Sequence, residues 1–313
     1  MTAIRVEGLR KTFKQVTALD GLSFEVASGT VFGFLGPNGA GKTTTLRILA
    51  GLARPDSGAA SVEGHPTGPE SPARRLIGYL PEEPHFYTWM TATEFLRDYV
   101  AGLFGLAPGE ARQRTAELLE LAGLKDAARR RIAGFSRGMR QRLGLAQALI
   151  NRPRVVLLDE PVSALDPAGR RDMLLLIEEL RQTTTVLMST HILDDVERIC
   201  DTVGIIDHGR MVALDGRQTL LARYATPSLE IQFRAEAAPV AAWAATLRGL
   251  PGIASATAEG DMVRVRLQAA DAGDQKVLGL AVASEMPVER FEHARPTLED
   301  VFLRLVGAQR QAA

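Results

Sequence analysis

The nine residues Gly36-Pro-Asn-Gly-Ala-Gly-Lys-Thr-Thr44 leave this chain little freedom in what it can fold into. Gly36 and Gly41-Lys42-Thr43 satisfy the spacing G-x-x-x-x-G-K-[ST]; Pro37, Asn38, Gly39 and Ala40 fill the interior and Thr44 follows. Before the loop, Val31-Phe-Gly-Phe-Leu35 is a short apolar run that reads as a buried strand. After it, Thr43 to Leu52 carries Leu46, Leu49 and Ala50 at helical spacing. Glycines let the backbone turn with its N–H groups pointing inward, and the helix N-terminus adds partial positive charge where a β-phosphate would lie. Lys42 supplies a mobile cation for the β- and γ-phosphates, and the Thr43 hydroxyl can ligate Mg²⁺. The motif predicts a nucleotide site.

Other strings point to the same crevice. Val155-Val-Leu-Leu158 reads as a buried strand ending in Asp159-Glu160-Pro161. In an open parallel sheet the C-terminal strand ends face the ligand. Asp159 there suits Mg²⁺, which takes one or two carboxylates beside phosphate oxygens. Glu160 is placed to polarise a water for attack on the γ-phosphate, as general base. A further strand, Thr185-Val-Leu-Met188, leads to Ser189-Thr190-His191, and His191 can reach the crevice and sense the γ-phosphate. Arg75 to Leu80 is an apolar strand ending at Pro81-Glu82-Glu83-Pro84. Tyr79, Phe86, Tyr87 and Trp89 crowd near these prolines; core filling and a partner groove suit them equally. Phe13 is either core or a ring for a base to stack on, and core is favoured when it is read alone.

Composition limits the alternatives. Lys+Arg and Asp+Glu both number 37, so no global field draws in nucleic acid or anionic lipid. The single cysteine, Cys200, excludes an intramolecular disulfide and fits a reducing compartment. Among Val196, Ile199 and Val203 it reads as a buried structural thiol. No run approaches the ~18 apolar residues of a membrane span, and no N-terminal region resembles a signal peptide. Residues 91 to 135 read as mainly helical, opening on the capping-box pattern Thr91-x-x-Glu94. Val203–Asp207 and Arg210–Leu214 read as a hairpin about His208-Gly209, closing a domain of residues 1–224. Residues 225–228 are the expected linker. The remainder, 229–313, follows a βαββαβ order, which is ferredoxin-like. Its last helix is expected to start at Pro296-Thr-Leu-Glu-Asp300, with Leu298, Val301, Phe302 and Leu305 on one face. It reads as an accessory or dimerisation module.

Taken together, residues 4 to 224 resemble the ATPase subunit of an ABC transporter, motif after motif in order. The resemblance implies an α/β P-loop core with an antiparallel β subdomain and an inserted α-helical subdomain at about 85–135. It implies ATP and Mg²⁺, with Thr43, Asp159 and Glu82 near the metal and Lys42, Glu160 and His191 at the reaction. Phe13 falls where the family stacks its adenine. Ser136-Arg-Gly-Met-Arg-Gln-Arg142 resembles the family signature, whose Ser136 and Gly138 would reach the other subunit's γ-phosphate in a head-to-tail homodimer. Ser163-Ala-Leu-Asp166 resembles the loop that bridges the two sites. Two departures stand out. Glu82 replaces a glutamine, and its added charge near phosphates can slow hydrolysis. Arg137 and Met139 stand where many members have Gly and Gln. With Leu298-Glu-Asp-Val-Phe-Leu-Arg-Leu305, these look like the exporter branch, which works at the cytoplasmic membrane face on a separate multi-span permease. The rivals are a soluble ABC ATPase acting on ribosomes or DNA, and a regulatory cassette that does not hydrolyse. One glycine loop and zero net charge weigh against the first; intact Glu160 and His191 weigh against the second. No nucleic-acid partner is expected, and the cargo is not readable.

Overall fold

Two long strands open the structure, a computed structural model that describes residues 1–163, 165–224, 227–268, 273–294 and 297–312. Ala164 of the Ser163–Asp166 loop, Ala225 and Thr226 of the expected linker, and Pro296 of the expected helix start lie outside the described residues. β1 (Thr2–Phe13) and β2 (Val16–Ala27) pair antiparallel over their whole length. The sequence shows only two short alternating stretches here. The reason is a set of register shifts, one of them between Val6 and Leu9 around the left-handed Gly8 (φ 59°), which resets the alternation.

The chain then enters a second sheet through β3 (Val31–Leu35) and α1 (Lys42–Leu49), returns as β4 (Ser57–Val62) and β5 (His65–Pro66), and comes back through β6 (Ile77–Leu80). The antiparallel sheet has the order β2-β1-β4-β5. Phe24 of β2 joins the two sheets: its ring centroid lies 5.5 Å from Phe32 and 5.4 Å from Phe34 of β3. Leu46, Ile48 and Leu49 of α1 belong to the same core. Each fully buried side chain of this size contributes roughly 1.5–3 kcal/mol of transfer free energy.

A helical insertion separates β6 from its sheet neighbour. α2 (Ala92–Glu94) starts on the expected capping box: the Thr91 hydroxyl accepts the Glu94 N–H at 3.2 Å, and Glu94 accepts the Thr91 N–H at 2.8 Å. The helix runs on through a π-helical turn, Phe95–Val100, into α3 (Ala101–Leu103). α4 (Pro108–Leu121) follows, and then α5 (Arg137–Leu149), which opens within the Ser136–Arg142 string. Then come β7 (Val155–Asp159), α6 (Pro167–Leu180), β8 (Thr185–Thr190), α7 (Leu193–Ile199), β9 (Thr202–Asp207) and β10 (Arg210–Gly216). The six-stranded sheet has the order β10-β9-β3-β8-β7-β6 and is parallel except for β10. β3, β7 and β8 are buried at every residue, which is why each carries an apolar run: Val31–Leu35, Val155–Leu158 and Val186–Met188.

The chain divides into two units, Met1–Arg217 and Gln218–Ala313. The division falls earlier than the expected boundary near Tyr224, because α8 (Arg217–Tyr224) begins as soon as β10 ends and goes with the second unit. β11 (Ser228–Phe233) starts inside the expected linker. α9 (Ala237–Thr246), β12 (Ile253–Glu259), β13 (Met262–Leu267), α10 (Asp274–Ala283) and β14 (Val288–His293) complete a βαββαβ order. The antiparallel sheet order β12-β13-β11-β14 is that of a ferredoxin-like fold. Phe233 and Trp243 meet edge to face at 4.9 Å within its core. α11 (Leu298–Ala312) buries Leu298 and Val301 and leaves Phe302 and Leu305 half-buried. Its start is capped reciprocally: the Thr297 hydroxyl donates to Asp300 Oδ2 at 2.9 Å and accepts the Asp300 N–H at 3.3 Å.

Candidate active site

The glycine loop lies between β3 and α1, as its spacing predicts. Gly41 precedes the helix with φ 107°, and Gly39 has φ 81°. At Gly36 and Gly41 the requirement is also one of space. A Cβ would stand 2.4 Å from the Ile206 carbonyl oxygen at Gly36 and 2.5 Å from that of Ala18 at Gly41. Residues 37 to 44, with Val16, Ala18, Glu82, Glu160 and His191, line an open cavity of ≈ 440 Å³.

Charge in this cavity is paired. Lys42 Nζ donates to the Gly36 carbonyl at 2.6 Å and the Pro37 carbonyl at 3.3 Å, and stands 3.4 Å from Glu160 Oε1. The other oxygen of Glu160 lies 3.0 Å from His191 Nδ1, which therefore carries its proton toward the carboxylate. Glu160 is thus held between Lys42 and His191. Thr43 Oγ1 donates to Asp159 Oδ1 at 3.2 Å. Asp159 opens on an adjoining cavity that shares Thr43 and Glu82 with the first.

Adjacent residues of a strand point to opposite faces, so two consecutive acids cannot ordinarily serve one crevice. Glu160 escapes this by adopting φ 47°, a strained left-handed conformation for a residue with a Cβ. Its N–H is held by the carbonyl of Ser189 at 3.2 Å and the hydroxyl of Ser189 at 3.1 Å. That hydroxyl also donates to Asp159 Oδ1 at 2.6 Å. Sequence reasoning quoted Ser189 without a role. The available signal is a serine on a strand whose preceding residues, Val186, Leu187 and Met188, are all apolar.

The oxygens of Thr43 and Asp159 suit Mg²⁺. Neighbouring ligands of an octahedral ion with bonds near 2.1 Å lie about 3.0 Å apart, close to the 3.2 Å seen here. Among the described residues no group of three His, Cys, Asp or Glu side chains could enclose a metal. An ion shared between one or two protein oxygens and a nucleotide's phosphates needs no such group.

Other expected residues lie elsewhere. Phe13 is exposed at the end of β1 and does not line the cavity; its register partner Val16 does. Ser136 caps α5, accepting the Met139 N–H at 3.2 Å, and neither it nor Gly138 lines the cavity of its own chain. Asp166, read as part of a nucleotide-bridging loop, is the cap of α6 and accepts the Gly169 N–H at 3.1 Å. The helix therefore begins at Pro167. The aromatic group divides between its two readings. Phe86 packs edge to face on Phe95 at 5.1 Å, whereas Tyr87 and Trp89 stay exposed. Cys200 is buried, as expected, and burial pushes its thiol far up.

Comparison with known proteins gives this geometry its family. The model "ABC transporter" matches residues 19–163, and a model of the C-terminal domain of DrrA1-3-like ATP-binding proteins matches 217–306. An uncharacterized ABC transporter ATP-binding protein of Bacillus subtilis is 40% identical over 306 residues, spanning 97% of this chain and 100% of that one. The chain belongs to the ATP-binding subunits of ABC transporters. A Nod factor export ATP-binding protein of Ralstonia nicotianae is 36% identical over 98% of this chain and 94% of its own. A solved ATP-binding subunit of an ABC transporter superposes with a TM-score of 0.64 at 32% identity, covering 71% of this chain and 93% of that one. The protein is thus an ATP-binding and ATP-hydrolysing motor subunit of an ABC transporter, and the ribosome, DNA and regulatory readings fall away. No helix among its described residues is long and apolar enough to cross a membrane.

Proposed function

We propose that this subunit drives export, as a homodimer at the cytoplasmic face of the membrane, on a separate multi-span permease. In this reading two copies close head to tail over two ATP molecules. Lys42 and the loop amides bind the phosphates, Thr43 and Asp159 hold Mg²⁺ with Glu82 beside them, and Glu160 activates the attacking water. His191 orients Glu160 and reads the γ-phosphate. Ser136 and Gly138 of the opposite copy complete each site, and Phe13 offers its exposed ring to the adenine. With little covalent chemistry for the protein to perform, catalysis is positioning and electrostatic stabilisation.

The observation that carries this reading is the placement of Glu160 between Lys42 and His191, in the lining of the same cavity as the loop. Export as the direction is supported by the export relative. The permease surface is assigned to the insertion, where Trp89 is 68% and Tyr87 47% exposed beside Glu82 and Glu83. The ferredoxin-like unit is assigned an accessory or dimerisation role. The test is co-purification of the tagged chain from solubilised membranes. A multi-span partner that raises its ATPase rate supports the reading, as does loss of that partner on Tyr87→Ala and Trp89→Ala substitution. A ribosomal or nucleic-acid partner, or a permease that moves cargo inward, would reject it.

A further inference from the structure

Ser189 is fully buried on β8 and registers directly with Asp159 of β7. A hydroxyl in such a place costs free energy unless its hydrogen-bonding capacity is used. Here it is used on both acids. Its one proton goes to Asp159 Oδ1 at 2.6 Å, within the range of charge-assisted O–H···O⁻ bonds. Its lone pair takes the N–H of Glu160 at 3.1 Å. The same Asp159 oxygen accepts the Thr43 hydroxyl, so two hydroxyls converge on one carboxylate oxygen. Strand pairing, rather than the reach of a flexible side chain, delivers the hydroxyl to this point.

We propose that Ser189 is a positioning residue of the ATPase reaction. Its hydroxyl sets the orientation in which the Asp159 carboxylate faces Thr43, and supports the left-handed turn that brings Glu160 to the cavity. The two acids are thereby locked to one another. The inference rests on the reading that Asp159 serves Mg²⁺ and Glu160 the water. The turn at Glu160 keeps a second support, the Ser189 carbonyl at 3.2 Å. Removing the hydroxyl therefore acts first on Asp159 and leaves the fold standing.

The test uses the full chain with Ser189→Ala and Ser189→Thr, the second of which keeps the hydroxyl. Three quantities are measured: thermal unfolding, ATP affinity by calorimetry in EDTA and in Mg²⁺, and steady-state kcat and KM. Removing a group that orients a metal ligand typically costs 10- to 100-fold in metal affinity or activity. Ser189→Ala is expected to unfold near the parent temperature and to bind ATP in EDTA as the parent does. It should need about tenfold more Mg²⁺ for half-saturation and lose about tenfold in kcat with little change in KM. Ser189→Thr should restore both. The proposal is overturned if Ser189→Ala leaves kcat and Mg²⁺ dependence unchanged. It is equally overturned if affinity falls as much in EDTA as in Mg²⁺, or if Ser189→Thr is as impaired as Ser189→Ala. Asp159→Asn and Glu160→Gln run alongside. Parental turnover in those two would instead remove the roles of the acids themselves.

Discussion

Replacing Glu160 by Gln tests the site in two directions at once, because it keeps shape and removes charge. Lys42 and Glu160 are both buried, with Nζ and Oε1 3.4 Å apart, so their Coulomb attraction at an effective dielectric of 20 is about 5 kcal/mol. Desolvation offsets much of this, yet stranding one partner of a buried pair typically costs about 3–5 kcal/mol, part of which a polar isostere that keeps a hydrogen-bonding oxygen recovers. Glu160→Gln should therefore lower stability in the absence of nucleotide by up to about 3 kcal/mol, read by denaturant unfolding. A phosphate that binds the parent must draw Lys42 away from Glu160; in the variant it need not. If about 1.4 kcal/mol of the pair's attraction is released, ATP binds about tenfold more tightly. Turnover should fall roughly 10²-fold or more, since the base is gone. Calorimetry with ATP and a phosphate-release assay separate the two effects. Near-parental hydrolysis would refute the role of Glu160 as base. Weaker ATP binding than in the parent would refute the competition for Lys42.

Three further outcomes follow from local geometry. Gly36→Ala should abolish measurable ATP binding, because its methyl group would meet the Ile206 carbonyl oxygen at 2.4 Å and push the loop aside; calorimetry with retained affinity would contradict this. Asp166→Ala should cost about 1 kcal/mol in chemical denaturation through loss of the α6 cap, since the Asp166 side chain accepts the Gly169 N–H. Unchanged stability would return Asp166 to a purely nucleotide-related role. Thr91→Ala should destabilise the insertion in a pH-dependent way. The Thr91 N–H and hydroxyl hold the Glu94 carboxyl below its ordinary range, so the cap's charge-linked stability is present above the unfolded pKa and lost as pH falls through the lower folded one. The thermal-melting difference between parent and Thr91→Ala should be full at neutral pH and shrink under acid conditions; a difference independent of pH would be the contrary result.

What could be read from residues alone follows the range over which each cause acts. The glycine loop, the acid pair and His191 are short strings whose meaning depends on the strand or helix beside them, and those strands are buried at every residue and carry apolar runs. The β1–β2 hairpin was legible only in fragments, because register shifts such as that after Val6 break the alternation that marks a strand. Asp166-Pro167 is an ordinary cap followed by a first-turn proline, so the start of α6 is written locally in the chain. Nothing local announces the π-helical turn at Phe95–Val100. The left-handed backbone of Glu160 and the bond from Ser189 to Asp159 arise only when β7 and β8 lie side by side. Strand pairing joins residues far apart in the chain, and no periodicity within either strand encodes it.

The crowding around the glycine loop bears on how the subunit transmits force. Gly36, Gly41 and Gly209 press against main-chain carbonyls of Ile206 and Ala18, which cannot rearrange as side chains do. The Gly209 N–H bonds the Ala40 carbonyl at 3.0 Å, and the Asp20 N–H bonds the Gly209 carbonyl at 3.0 Å. Loop, β2 and the β9–β10 hairpin therefore form one stiff block, against which an arriving phosphate can push without displacing it. What can yield are the contacts of side chains: Lys42 with Glu160, Thr43 with Asp159, Glu160 with His191. Glu82 stands where such an exchange can leave the site, for it borders both the loop cavity and the one edged by Arg137 and Arg140. In the proposed mechanism a phosphate therefore exchanges side-chain partners, while the loop's main chain keeps its contacts with β2 and the β9–β10 hairpin.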